Sequence, residues 1–179
     1  MAPPNMWWIV ANDRDPEHGW HWDQFFDEPH DPRQTYNWGG PTWIRSNTSI
    51  ARVNEMRRGD LVAAFQASEG IVGFARLASD GYKSEDTDKF DTFDLASGPT
   101  IRVRTPIPLE VISQSPTAKE EFEFVRIVKQ GSVFRVTSSG SARLFSLARQ
   151  FNPTQAAQID TFADLGANQR LASAGPARA

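Results

Sequence analysis

Four arginines, Arg45, Arg52, Arg57 and Arg58, cluster within fourteen positions around a short amphipathic segment and a turn. Guanidinium groups so grouped suit phosphate contacts, which position a nucleic-acid strand without reading it. The plain alternative is a solvated helix face. Asn12, at the end of an apolar run, offers a donor and an acceptor on one side chain. That suits hydrogen bonding to a flat polar ligand, or simply forming a turn. His18, His21 and His30 lie among Asp23, Asp27 and Asp31, yet no His-Glu-x-x-His or comparable metal-ligand spacing appears, so no metal or cofactor is expected. Phosphate-loop and Gly-x-Ser-x-Gly signatures are missing too, and no catalytic pair stands out, which argues against an enzyme. The unusual feature is aromatic: six tryptophans, at 7, 8, 20, 22, 38 and 43, and twelve phenylalanines against two tyrosines.

The elements that must position these groups centre on residues 57–77, Arg-Arg-Gly-Asp-Leu-Val-Ala-Ala-Phe-Gln-Ala-Ser-Glu-Gly-Ile-Val-Gly-Phe-Ala-Arg-Leu. Two nearly unbroken apolar runs, 61–65 and 71–77, flank a polar link of hairpin length, predicting central antiparallel strands covered on both faces. Gly59-Asp60 signals the turn into the first. Gly73, inside the second, predicts a bulge or the close approach of another backbone. Upstream, 6–11 reads as a buried strand, 18–26 as a short aromatic helix and 29–40 as a loop. Ser46, Asn47 and Thr48 are candidate caps for a helix in which Ile50, Val53 and Met56 share a face. Trp43 sits between that loop and that helix.

Downstream, 79–99 reads as an acidic loop, 100–105 as a half-buried strand ended by Pro106 and Pro108, and 109–113 and 117–122 as single helical turns. A strand follows Gly131. Ser138 or Ser139 is the expected cap of a helix ending at Asn152-Pro153, with a further helix to about residue 165. The domain is expected over 6–150, with 151–165 an appended helix and 166–179 a disordered tail.

Length favours one domain. A net charge of −3 excludes a generally basic nucleic-acid binder but not a local basic patch. The lack of cysteine, of an apolar leader and of any run near 20 apolar residues points to a cytoplasmic protein outside the membrane.

The stretch 54–77 resembles the signature of EVE domains: Met56-Arg57-Arg58-Gly59-Asp60-Leu61-Val62, an aromatic strand end at Phe65, then Val72-Gly73-Phe74-Ala75. Trp22-Asp23 is similar to an early element of that family. Related YTH domains are echoed by Ile9-Val10-Ala11-Asn12, by Trp43 and by Gly73-Phe74-Ala75-Arg76-Leu77. The resemblance covers roughly residues 6–148. It implies an α+β, PUA-like fold, a small twisted β-barrel with helices packed around it.

It further implies a nucleic-acid reader that accommodates a modified, methylated base in an aromatic pocket. Trp43 and Trp22 would be walls, with Trp20 and Phe65 as further aromatic candidates and Asn12 at the base edge. Arg45, Arg52, Arg57 and Arg58 would contact phosphate. The partner would be a single extruded or single-stranded modified nucleotide, with a nuclease as an accompanying protein partner. YTH domains carry a second cage tryptophan after the Gly-Phe-Ala-Arg strand. This chain has only Tyr82, Phe90 and Phe93 there. A module for structure or protein interaction, without base recognition, is the alternative reading.

Overall fold

The computed structural model describes residues 4–14, 19–27, 36–41, 52–83, 89–95, 99–127 and 132–173. The predicted hairpin is its centre. Strand β3 (Leu61–Gln66) pairs antiparallel with β4 (Gly70–Arg76), and every residue of both is buried. Strand β1 (Met6–Ala11) runs parallel to β3, Met6 opposite Leu61 and Ala11 opposite Gln66. With β7 (Ile101–Ile107) and β8 (Val133–Val136) they form one mixed sheet in the order β7-β4-β3-β1-β8.

Alternation along β1 and β3 feeds two cores. Met6, Trp8, Leu61, Ala63 and Phe65 face one side, and Trp7, Ile9, Val62 and Ala64 the other. Burial on both faces explains the lack of polar alternation in the sequence. The first core is roofed by α5 (Ser138–Phe151) and α6 (Ala156–Ser173), which contribute Leu144, Phe145, Ile159 and Phe162. The second lies under α1 (Asp23–Phe26) and a helical turn at 52–55, which supply Trp22, Phe25, Val53 and Met56.

The expected barrel closure is not found in the strand pairing of the described residues. Among the described residues, β7 and β8 remain the edges of the five-stranded sheet. A second sheet, β2 (Tyr36–Pro41), β6 (Lys89–Leu95) and β5 (Tyr82–Lys83) in the order β2-β6-β5, meets it through a lone bridge between Leu77 and Leu95. Two segments read as loops, 29–40 and 79–99, therefore contain strands. Register shifts between Ala64 and Phe65 and between Ile71 and Gly73 bend the hairpin.

Gly73 meets both halves of its expectation. It flanks that shift, and a Cβ there would collide with the Ile101 carbonyl of β7 and the Phe26 ring. Gly73→Ala is therefore expected to cost about 1–3 kcal/mol, as overpacking does, measurable by denaturant unfolding. A neutral result would mean that β7 and α1 yield freely.

Pro106 does not end β7, because an edge strand tolerates a missing donor. Short helices α2 (Leu109–Ser113), α3 (Ala118–Glu121) and α4 (Glu123–Arg126) follow. Thr137, rather than either serine, caps α5: its hydroxyl accepts the Gly140 N–H at 3.2 Å. A 3-10 turn, Pro153–Gln155, joins α5 to α6.

The outer edge of β7 is covered by two side-chain amides from that junction. Asn152 accepts from Thr105 N–H (2.7 Å) and donates to its carbonyl (3.0 Å); Gln155 accepts from Arg104 N–H (2.9 Å) and donates to the Arg102 carbonyl (3.1 Å). Both side chains are buried. They satisfy ladder groups that would otherwise invite another strand. The helix foreseen as an appendage is thus bonded to the sheet, and it continues to Ser173 through much of the expected tail.

Candidate functional site

The turn that opens the hairpin shows why its residues take their types. Gly59 has φ 88°, a conformation that favours glycine. Asp60 is fully buried, and its carboxylate accepts the Trp7 indole N–H at 2.9 Å and the Arg57 backbone N–H at 3.0 Å. The Gly-Asp pair therefore ties β3 to β1, while Arg57 and Arg58 stay exposed. The Arg57 guanidinium donates to the Asn54 and Met56 carbonyls, each at 2.8 Å, and closes the end of the 52–55 turn.

At the opposite end of β1 and β3, a second group of candidates converges. Asn12 is exposed, its carbonyl accepting from Trp20 N–H at 3.1 Å and its side-chain oxygen from Arg14 N–H at 3.0 Å. The side-chain amide nitrogen adds a donor to this exposed turn. Trp20 is half-buried and packs edge-on against Trp22, centroids 4.7 Å apart. Trp22 itself is fully buried against Phe25 and Phe26.

Polar bonds fix this segment to the hairpin loop. Trp22 N–H donates to the Gln66 side chain at 3.0 Å. Asp23 N–H donates to His21 Nδ1 at 3.1 Å, so the proton of neutral His21 sits on Nε2, which donates to Glu69 at 2.7 Å. Arg102 bridges the Asp23 carboxylate (2.6 Å) and the Val72 and Val103 carbonyls (3.2 and 3.0 Å), with Glu69 at 3.7 Å. The aromatic rim is thus held in place rather than draped over the sheet.

Asn12, Trp20 and Trp22 come together, then, with Trp22 as the buried support of Trp20 rather than an open wall. Phe65 is on the other face of the sheet, packed against Trp8 and Phe124 at 5.0 Å from each. Trp7 and Trp8 are both core, and Trp38 lies on β2 opposite Phe93. Trp43 and Arg45 lie outside the described residues, as do His18, His30 and Asp31.

Arg52 departs furthest from its expected role at a phosphate surface. Only 1% exposed, it makes a two-point pair with Glu123 (3.0 and 2.7 Å) and lies over the Phe134 ring. Glu123 also accepts the Arg135 N–H at 2.8 Å, and the Arg135 guanidinium holds Glu55 at 2.6 Å. Burial pushes the Glu123 carboxyl up, but the Arg52 and Arg135 hydrogen bonds and charges outweigh it and hold it below its ordinary value. The Arg135 guanidinium is raised, chiefly by its hydrogen bond to Glu55.

Gln66, Glu69 and Arg102 are not site candidates in the sequence, and His21 is weighed there only as a metal ligand. The one local signal was Gln66, a polar residue closing an apolar run, and its partner is 44 positions away. Among the described residues no His, Asp and Glu side chains are grouped to hold a metal, and no helix is long and apolar enough to cross a membrane.

No protein-family model and no curated protein matches the chain. Solved structures do. A protein of Rhodopseudomonas palustris gives a TM-score of 0.61 at 21% identity over 80% of this chain and 92% of that one. Human THYN1 protein, in complex with 5-methylcytosine containing DNA, gives 0.61 at 17% over 80% and 97%. The DUF55 domain of human thymocyte nuclear protein 1 gives 0.60 at 17% over 80% and 98%. At such identities the likeness speaks of architecture: the chain shares the α+β fold of these structures, a DUF55 domain among them.

Proposed function

We propose that this chain is a nucleic-acid-binding reader that accommodates a modified, methylated base at the end of the sheet where Asn12 and Trp20 meet. The observation that carries the reading is Trp20, a half-buried tryptophan braced by Trp22 and hydrogen-bonded to the backbone of the exposed Asn12. Stacking on an aromatic side chain contributes about 1–3 kcal/mol per base, and a buried methyl-sized group adds roughly 0.8 kcal/mol. The shared fold with THYN1, whose structure contains 5-methylcytosine DNA, supports the ligand class.

On this reading Trp43 supplies the facing wall, and Arg45, Arg57 and Arg58 contact phosphate. A single extruded or single-stranded nucleotide is bound without covalent chemistry, and a protein partner such as a nuclease acts on what has been recognised.

The test is a panel of short oligonucleotides carrying different methylated bases, with unmodified controls, against the wild type and Trp43→Ala. The variant is expected to lose about 1–3 kcal/mol of affinity for the preferred modified strand while its melting temperature hardly changes. A large fall in melting temperature with normal binding by the folded fraction would move Trp43 into the core. A wild type that binds no oligonucleotide would leave a protein-interaction module as the reading.

A further inference from the structure

We infer that the bound strand has a second contact site at the other end of the sheet, built from Arg57, Arg58 and Tyr82. Flanking phosphates would meet the two arginines and a flanking base would stack on the tyrosine. The inference rests on the base-reading function proposed above and adds to it the length of ligand required.

Several arginines of the described residues are neutralised by carboxylates. Arg52, Arg102, Arg135, Arg143 and Arg149 each have a carboxylate within 3.0 Å. Arg57 and Arg58 are exposed, adjacent in sequence and in no ion pair among the described residues. Nearby carboxylates have other partners: Glu55 pairs with Arg135, Asp60 turns inward to the Trp7 indole and the Arg57 N–H, and Asp80 accepts the Arg58 N–H at 2.8 Å. Arg57 is also preset, since two carbonyls fix its guanidinium.

Strand β5 is pinned beside this turn. Gly81 N–H donates to the Met56 carbonyl at 3.2 Å, and Gly81 lies so close to the Val53 carbonyl that no side chain fits. The next residue, Tyr82, is the exposed large hydrophobic side chain of the described residues, at 39%. Cations beside an exposed ring are the two ingredients of sequence-tolerant single-strand binding.

Both ends lie on the layer that covers the same face, since Trp22 and Phe25 share a core with Val53 and Met56. The register from Leu61 to Gln66 separates them by five steps, about 17 Å at ~3.3 Å per residue. A strand stacked at ~3.4 Å per nucleotide covers that in about five nucleotides. An isolated modified base, or a trinucleotide centred on it, would therefore reach only the Asn12 and Trp20 end.

The experiment compares a trinucleotide and a nonanucleotide, each carrying the same modified base, on wild type, Arg57→Ala/Arg58→Ala and Tyr82→Ala, with melting temperature as the fold control. The nonanucleotide is expected to bind the wild type more tightly. The double variant should lower the slope of log affinity against log salt by about 1.4 for the longer strand, at ~0.7 per phosphate on a single strand. Tyr82→Ala should weaken it roughly tenfold or more. Tyr82→Ala should leave trinucleotide binding unaltered, and the double variant should weaken the trinucleotide far less than the nonanucleotide. Equal wild-type affinity for both lengths, or variants that affect both alike, overturns the second site and leaves base reading standing. A wild type that binds neither strand fails at the base-reading step, and the inference falls with it.

Discussion

Arg52→Ala is expected to destabilise the fold by about 3–5 kcal/mol, the range for removing one partner of a buried ion pair. The size follows from where the pair sits. The Arg52 guanidinium and the Glu123 carboxylate are both at or below 9% exposure, joined at 2.7 and 3.0 Å across 71 residues of chain. Without Arg52, Glu123 keeps the Arg135 N–H and a guanidinium at 3.5 Å, but loses its two strongest bonds in a site that water enters poorly. The cation also covers the Phe134 ring at 5.1 Å, so packing goes with the charge. Urea unfolding reads the loss, and a cost below 1 kcal/mol would class the pair with solvent-exposed ones. Replacing both members with apolar residues should recover much of the stability.

The same pair predicts an acid limb. Because the folded Glu123 carboxyl lies below its unfolded value, its stabilisation is complete above the ordinary glutamate value of about 4.3. It is lost as pH falls through the lowered folded value. Glu123→Gln should therefore flatten the stability profile below about pH 4.3 and leave its neutral shape alone. Arg52→Ala should not flatten the salt dependence of any nucleic-acid binding, whereas loss of Arg57 should. That contrast distinguishes a buried tie from a phosphate contact.

What the sequence displays locally, the structure contains. The apolar runs around a polar link are β3 and β4, and Gly73 marks a backbone approach because a strand interior has little other use for a missing side chain. What it hides depends on partners far along the chain. Residues 36–41, Tyr-Asn-Trp-Gly-Gly-Pro, have the composition of a loop and become a strand only because β6 pairs with them. Arg52 falls on the polar side of the 50–56 periodicity, and only Glu123 accounts for its burial. The Asn12 turn was readable, but the bracing of Trp20 through Gln66, Glu69 and Arg102 was not, since those contacts join three separate segments.

Arg76→Met is expected to raise stability by about 1–4 kcal/mol, the range for exchanging buried ionic groups for packed apolar ones. Arg76 shares the Arg-Leu strand end with the family signature, which makes it look functional, yet it is 3% exposed beneath α6. Its guanidinium donates to the Phe162 carbonyl and lies 4.8 Å from the Phe162 ring centroid, while Nε and Nη1 have no partner. No ion pair among the described residues offsets the burial, which pulls the group below its ordinary value. The contrast with Arg52 is the carboxylate: one buried arginine is matched by Glu123, the other only by a carbonyl and a ring. Methionine keeps the unbranched stem and a favourable sulfur contact with Phe162. The Phe162 carbonyl, inside a helix, still has its helical bond. Thermal and urea unfolding of the variant, with hydrogen exchange across 156–173, would show whether α6 settles more firmly. A loss of more than 1 kcal/mol would mean that the Phe162 contacts outweigh the desolvation of an unpaired cation.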